Sequence, residues 1–223
     1  MAGDVEAEGG VLGGEKLVLG PFFEVGKVAI VVGFMGGASA EEAVRWGLSG
    51  PSLRGSGVNY DVRKAMPYSG YEQYEFDVPL ETGGDVYSRY RCRMREFRES
   101  IKICRQVLAK LPKGPFITGD RKVAPPPRSE LGHSMEAVIH HFKLWTEGFS
   151  APRGEVYVAT ESPRGELGVY LVGDGSPKPA RVHFRTPSFV NLEALALLGE
   201  GYLVADLVAI IGSIDIVLGD VDR

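Results

Sequence analysis

Asp85-Val-Tyr-Ser-Arg-Tyr-Arg-Cys-Arg-Met-Arg-Glu-Phe-Arg-Glu-Ser-Ile-Lys-Ile-Cys-Arg-Gln-Val-Leu-Ala-Lys-Leu111 is the stretch whose reading decides the fold. Asp85 is a side-chain acceptor standing where a helix opens. Val86, Tyr90, Met94, Phe97, Ile101, Cys104, Leu108 and Leu111 then follow at steps of three and four, which is one face of an α-helix. Arg89, Arg93, Arg95, Lys102 and Arg105 take the other faces, and Pro112 and Gly114 stop the run. The apolar face is the expected core contact, and Cys104, lying on it, is expected to be a buried thiol. Cys92 sits on the same helix about 18 Å away along the axis, too far for a disulfide. Both thiols are expected to be reduced, as in a cytoplasm-like compartment.

Working toward the C-terminus, Pro125-Pro-Pro127 predicts a stiff, extended connector. A second amphipathic helix follows, with Met135, Val138, Ile139, Phe142, Trp145 and Phe149 on one side. The period then shortens, and residues 155–160, 168–172 and 180–185 read as strands. They are separated by the turns Pro163-Arg164-Gly165 and Gly173-Asp-Gly-Ser-Pro177. Helices are expected at 188–198 and, last, at 203–211. Toward the N-terminus, Ser39 and Glu42 form a capping box for a short helix through Trp46 that Gly47 can end. Residues 49–61 read as a Gly/Ser-rich loop and 67–78 as a Tyr-rich irregular stretch. Residues 1–14 read as disordered and 24–32 as a possible strand. Two long amphipathic helices, a small antiparallel sheet and shorter helices make a helix-dominated α+β pattern.

The chain has 223 residues, 44% of them hydrophobic, and a net charge of −4. That length suits one large domain or two small ones with a packed core. The negative balance argues against a general nucleic-acid binder. No run approaches the roughly 18 apolar residues needed to span a bilayer. The acidic start, Met-Ala-Gly-Asp-Val-Glu-Ala-Glu, lacks the basic character of a secretory signal or transit peptide.

The residues that could carry chemistry are few. His140 and His141 are adjacent and diverge by about 100° on a helix. His133 is two turns from His140, and His183 is far from all three. With no Cys-x-x-Cys pair, no zinc or iron–sulfur site is expected. Gly50-Pro-Ser-Leu-Arg-Gly-Ser-Gly57 is Gly-rich and basic but lacks the Gly-Lys-Ser/Thr ending of a phosphate loop, so a structural loop contacting a partner is the alternative. No serine sits in a Gly-x-Ser-x-Gly elbow, and no dinucleotide fingerprint is present. Asp206, Asp215, Asp220 and Asp222 lie in an otherwise apolar tail, where an unpaired charge costs several kcal/mol. They are either exposed or held by Arg and Lys groups. Arg164 is free to project from its turn, into solvent, a cavity or an interface.

Several stretches together resemble the large, 49-kDa-type component of respiratory complex I, the NADH:quinone oxidoreductase. They are Gly50-Pro-Ser-Leu-Arg-Gly-Ser-Gly-Val-Asn-Tyr-Asp-Val-Arg-Lys64, Tyr74-Glu-Phe-Asp-Val-Pro79, Pro125-Pro-Pro-Arg128 and Ser134-Met-Glu-Ala-Val-Ile-His-His-Phe142. Tyr157-Val-Ala-Thr-Glu-Ser-Pro-Arg-Gly-Glu-Leu-Gly168 and the tail through Arg223 complete the set. They come in the family's order and cover residues 38–223, as the C-terminal portion of that component; residues 1–37 read as a divergent or disordered segment. The resemblance implies a nickel–iron hydrogenase large-subunit-like fold. It also implies a place at the chamber where electrons from NADH reach quinone, coupled to ion translocation. Quinone would be substrate; the iron–sulfur cluster and NADH would be bound by partner subunits. Expected partners are other complex I subunits, especially the iron–sulfur subunit and the membrane-arm subunit, with no nucleic acid and peripheral membrane association. The expected location is the cytoplasmic face of a bacterial membrane, or the matrix face of the mitochondrial inner membrane.

Carried over by position, Asp215 and Val217 match the family's quinone- and inhibitor-sensitive segment. Val217 is expected to be apolar wall and Asp215 to orient polar groups or relay protons. Arg164 and Arg223 are expected at structural or interface contacts. The family's hairpin and tyrosine at the quinone headgroup have no counterpart here, so the chain is expected to be a truncated form, inactive alone, with an apolar face prone to association. A non-catalytic scaffold or assembly fragment of the same complex is the alternative. A hydrogenase relative is disfavoured because the metal-binding Cys pairs are missing.

Overall fold

The computed structural model describes residues 35–222, so the expectations for 1–14, for the strand at 24–32 and for Arg223 lie outside the described residues. The chain opens with three short helices, α1 (Ala40–Arg45), α2 (Pro51–Arg54) and α3 (Val62–Ala65), then a 3-10 turn at Tyr71–Gln73. Next come the long α4 (Val86–Lys110) and α5 (Met135–Thr146). Three strands follow, β1 (Gly154–Ser162), β2 (Gly165–Gly173) and β3 (Arg181–Arg185), and four short helices close the chain. These are α6 (Pro187–Glu193), α7 (Leu195–Gly199), α8 (Asp206–Ile214) and α9 (Leu218–Asp222). This is the α+β, helix-dominated class that the periodicities predict.

The caps at Ser39 and Asp85 are those the sequence indicates, and the structure adds one at Ser134. The Ser39 hydroxyl accepts from the Glu42 N–H at 3.3 Å while the Glu42 carboxylate accepts the Ser39 N–H at 2.9 Å. Asp85 accepts from the Ser88 N–H at 2.7 Å to open α4, and Ser134 from the Ala137 N–H at 3.2 Å to open α5. The sheet is antiparallel in the order β1-β2-β3, with Ser162 opposite Gly165. Pro163 and Arg164 are therefore a two-residue turn, and the Glu161–Glu166 pair sits one step inside it.

Gly50, at φ +63°, lets the start of α2 touch that turn backbone to backbone. A Cβ there would lie 2.5 Å from the Gly165 Cα, closer than any side chain allows. The glycines of the 50–57 stretch thus serve internal packing. Far from being an open loop, residues 48–56 are continuously buried and include α2. Two small apolar clusters hold the rest together. Ala38, Leu198, Ile210 and Ile214 join α7 and α8 to the start of the described chain. Ala43, Leu48, Leu53 and Ala194 join α1 and α2 to the α6–α7 junction.

The long helix faces the other way from the sequence expectation. Its buried residues are Ser88, Arg89, Cys92 and Ile103, because α4 packs on α2 and α8 through that side. Tyr90, Phe97, Ile101, Leu108 and Leu111 of the predicted core stripe are exposed. Cys104, expected in the core, is exposed, and Cys92 is buried. Burial pushes the Cys92 thiol up to about 11. The apolar side of α5 is likewise exposed along its length. The last expected helix also shifts, from 203–211 to Asp206–Ile214, and the Asp206 carboxylate accepts the Leu203 N–H at 3.0 Å. Among the described residues no helix is long and apolar enough to cross a membrane.

Candidate functional site

Arg54 is the centre of the buried charge. Its side chain is 1% exposed although it belongs to a four-residue helix. Nε donates to Glu96 of α4 at 2.8 Å, and Nη1 donates to Glu161 of β1 at 2.9 Å and to the Tyr60 carbonyl at 3.0 Å. Asp61 stands 3.7 Å away and is itself clamped by Arg63, whose Nη2 lies 2.6 Å from Oδ2. Burial opposes the Arg54 charge, yet Glu96, Glu161 and Asp61 together hold it above its ordinary value. Burial likewise opposes Asp61, but Arg63 and Arg54 keep its carboxyl below the usual range. Glu161 goes the other way: burial, helped by Asp61, pushes its carboxyl up despite Arg54. Of Asp61 and Glu161, Glu161 is therefore the readier to carry a proton. Its second oxygen accepts the Val62 N–H at 3.2 Å, and its own N–H donates to the Tyr68 hydroxyl at 3.0 Å.

Beside this cluster lies a cavity of about 340 Å³, walled by Arg54, Arg63, Arg93, Glu96, Glu161 and Asp215 together with Tyr71, Phe97 and the Ser162-Pro163 end of the hairpin. Asp215 reaches it through a bend in the chain. It ends α8 in the left-handed conformation, φ 52° and ψ 56°, which Asp tolerates better than most L-residues. Two arginines hold that bend. Arg164 donates through Nε to the Asp215 carbonyl at 2.9 Å and stands 3.5 Å from its carboxylate. Arg93 stands 3.5 Å from the same carboxylate and donates to the Ser213 carbonyl at 3.0 Å. Burial lowers the Arg93 pKa, with Asp215 opposing.

Arg89 pins the same tail from behind. It donates to the Gly84 carbonyl at 2.8 Å, the Gly36 carbonyl at 3.0 Å and the Ser213 hydroxyl at 2.9 Å. Its second terminal nitrogen has no partner among the described residues, and burial pushes its pKa down to about 10.

The structure thus brings Asp215 and Arg164 together; Asp215 is among the cavity's walls and Arg164 is not. Val217, two residues on, is 40% exposed and is not among the cavity's walls; Arg223 lies outside the described residues. Of the other tail acids, Asp206 accepts the Leu203 N–H at 3.0 Å and Asp220 the Ser188 N–H at 3.1 Å. Among the described residues no three His, Cys, Asp or Glu side chains gather as metal ligands. His140 pairs instead with Glu136 one turn away, at 3.7 Å. Sequence reasoning missed Arg54, Glu96 and Glu161. Arg54 carried one usable signal: a lone cation between glycines and serines, in a stretch with no aliphatic side chain long enough to fill a core but Leu53.

A family model described as respiratory-chain NADH dehydrogenase, 49 Kd subunit, matches residues 32–223. The chain is similar to the NADH-quinone oxidoreductase D 1 subunit of Herpetosiphon aurantiacus, 60% identical over 192 residues, which is 85% of this chain and 46% of that protein. The D 2 subunit of a Roseiflexus species is also 60% identical over 192 residues, again 85% of this chain and 46% of the relative. The corresponding NADH-quinone oxidoreductase protein of Ehrlichia chaffeensis is 53% identical over 189 residues, 85% of this chain and 48% of the relative. The chain spans about half the length of the curated relatives it matches.

Proposed function

The chain belongs to the 49 kDa subunit family of the respiratory-chain NADH dehydrogenase, and from that premise we propose that it forms part of the quinone site of an NADH:quinone oxidoreductase. In this reading residues 38–223 are the C-terminal portion of that subunit. Other subunits of the complex would be its partners, with the iron–sulfur subunit supplying electrons and the membrane-arm subunit beneath. The chain would be held at the membrane through them, on the cytoplasmic side of a bacterial cell or the matrix side of a mitochondrion.

The observation that carries the reading is the cavity beside Asp215. Quinone reduction takes two electrons and two protons, so a chamber wall has to offer protonatable groups without leaving them adrift in water. Asp215 borders the cavity between two arginines, and Glu161, with its carboxyl pushed up, lines the same space. Arg93 and Arg164 would fix the acid's direction. Val217, just past the bend, would present an apolar surface to the ring or tail of the substrate where another subunit closes over it.

The test is made in the assembled complex. Val217→Met is expected to change sensitivity to quinone-site inhibitors while assembly stays intact, and Asp215→Asn, which keeps the bend, to lower quinone turnover. An intact complex with both responses unchanged would count against the reading. The second reading is a scaffold or assembly piece of the same complex. Assembly rescued by a chain carrying both substitutions, with wild-type turnover, would favour it.

A further inference from the structure

Ser213 is gripped from two sides. Its hydroxyl accepts from Arg89 Nε at 2.9 Å and donates to the Ile210 carbonyl at 2.7 Å, and its own carbonyl accepts from Arg93 Nη2 at 3.0 Å. Arg89 and Arg93 stand one turn apart on α4, so one residue in the last turn of α8 takes a hydrogen bond from each. The last carbonyls of a helix have no partner inside it, and cations are favoured there. The two arginines differ in how firmly they stand. Arg89 is 1% exposed and is tied as well to the backbone carbonyls of Gly36 and Gly84, so it cannot follow a side chain that drifts away. Arg93 is less buried and its other end donates to the Pro163 carbonyl at 3.3 Å, so it moves with the hairpin tip.

We propose that Ser213 is a positioning residue for Asp215: its hydroxyl, hung on Arg89, fixes where α8 stops and so the direction in which the Asp215 carboxylate meets the cavity. The inference rests on the quinone reading. Ser213 is not among the cavity's walls, so it acts through the residue two places on. Ile210 and Ile214 are fully buried in the same turn, but apolar burial has no direction, whereas a hydrogen bond has a preferred length and angle. The bend needs such a fixed point. Asp215 takes the left-handed conformation that glycine usually supplies at a helix end. Its carboxylate stands 3.5 Å from each of Arg93 and Arg164, longer than a direct hydrogen bond. Arg164 holds the carbonyl of the bend at 2.9 Å; Ser213 holds the turn that leads into it.

The test is kinetic and is made in the assembled complex. Ser213→Ala is expected to lower kcat for quinone at least about tenfold with KM within about twofold, since a misaimed reacting group costs turnover and not binding. Ser213→Thr, which keeps the hydroxyl, is expected to restore turnover to within about twofold of wild type. A residue that acts through Asp215 has nothing further to lose once that acid is gone, so Ser213→Ala added to Asp215→Asn is expected to change kcat by less than about twofold. An unchanged kcat in Ser213→Ala, beside a lowered one in Asp215→Asn, overturns the proposal and leaves the quinone reading standing. A further fall of the same size on top of Asp215→Asn overturns it too, as does a threonine variant as slow as the alanine one. Unchanged turnover in Asp215→Asn strikes the quinone reading itself, and the proposal with it. Should Ser213→Ala fail to assemble, Ser213→Cys takes its place: a thiol of similar size but much weaker hydrogen bonding is expected to give the same loss of kcat, and wild-type turnover there overturns the proposal.

Discussion

Arg54 and Trp145 exchange the places their chemistry would assign them: the guanidinium is 1% exposed and the indole residue 75%. Around Arg54 the interior is built from charges that satisfy one another, drawn from α2, α4 and β1. Around Trp145 an apolar helix face stands in water. These two regions are therefore held by different means. The first is closed by partners within the chain; the second has a shape that only a further surface completes.

The greatest loss is expected at the first region. Arg54→Met leaves Glu96, Glu161 and Asp61 without their shared cation, and removing one partner of a buried pair costs about 3–5 kcal/mol. Urea denaturation should show the midpoint falling by that equivalent; a change under about 1 kcal/mol would mean water reaches the cluster. Ile214→Ala, in the true apolar core, should cost about 2–5 kcal/mol by the same measurement, which separates core from stripe. Ser39→Ala should cost about 1 kcal/mol, because both halves of the capping box are made.

Glu161→Gln probes the charged region through pH. With its carboxyl pushed above 4.5 in the fold, the folded chain holds a proton that the unfolded chain has released. Its contribution to stability is full below the unfolded value and falls as pH rises through the folded one. The wild type should therefore lose ground to Glu161→Gln as pH rises above 4.5. A constant gap in urea midpoints would mean an ordinary carboxylate. The least change belongs to the second region: Phe142→Ser on the lone chain should alter stability by no more than about 0.5 kcal/mol, since the side chain is already in water. A loss of about 2 kcal/mol, the scale of a core truncation, would show that α5 has a cover within this chain.

The local architecture was legible because local rules write it. Ser39 and Asp85 cap helices as the sequence says, and Pro163-Arg164 turns between two paired strands. What periodicity cannot say is which of two faces meets the rest of the chain. On α4 it marked the apolar face, and the fold chose the face of Ser88, Arg89 and Cys92 because Arg54, Ser213 and the Gly84 carbonyl wait there. Arg54 stayed unseen for a related reason: its three acids come from positions 61, 96 and 161, and no local window joins them. Asp215 and Arg164 were singled out by position, but their contact across 51 residues emerged only from the geometry.

The crossing of Gly50 and Gly165 has a mechanical corollary. On the Gly50 side the nearest atoms are all backbone, so no rotamer can swing aside there, and on the Gly165 side the first atom met is the Ser49 hydroxyl. The hairpin tip cannot rock toward α2; any displacement has to carry the sheet as a rigid lever. A single methyl at either glycine would act as a wedge. It would be felt first at Arg164, in the tip itself, whose carbonyl a Cβ on Gly50 would meet at 2.8 Å.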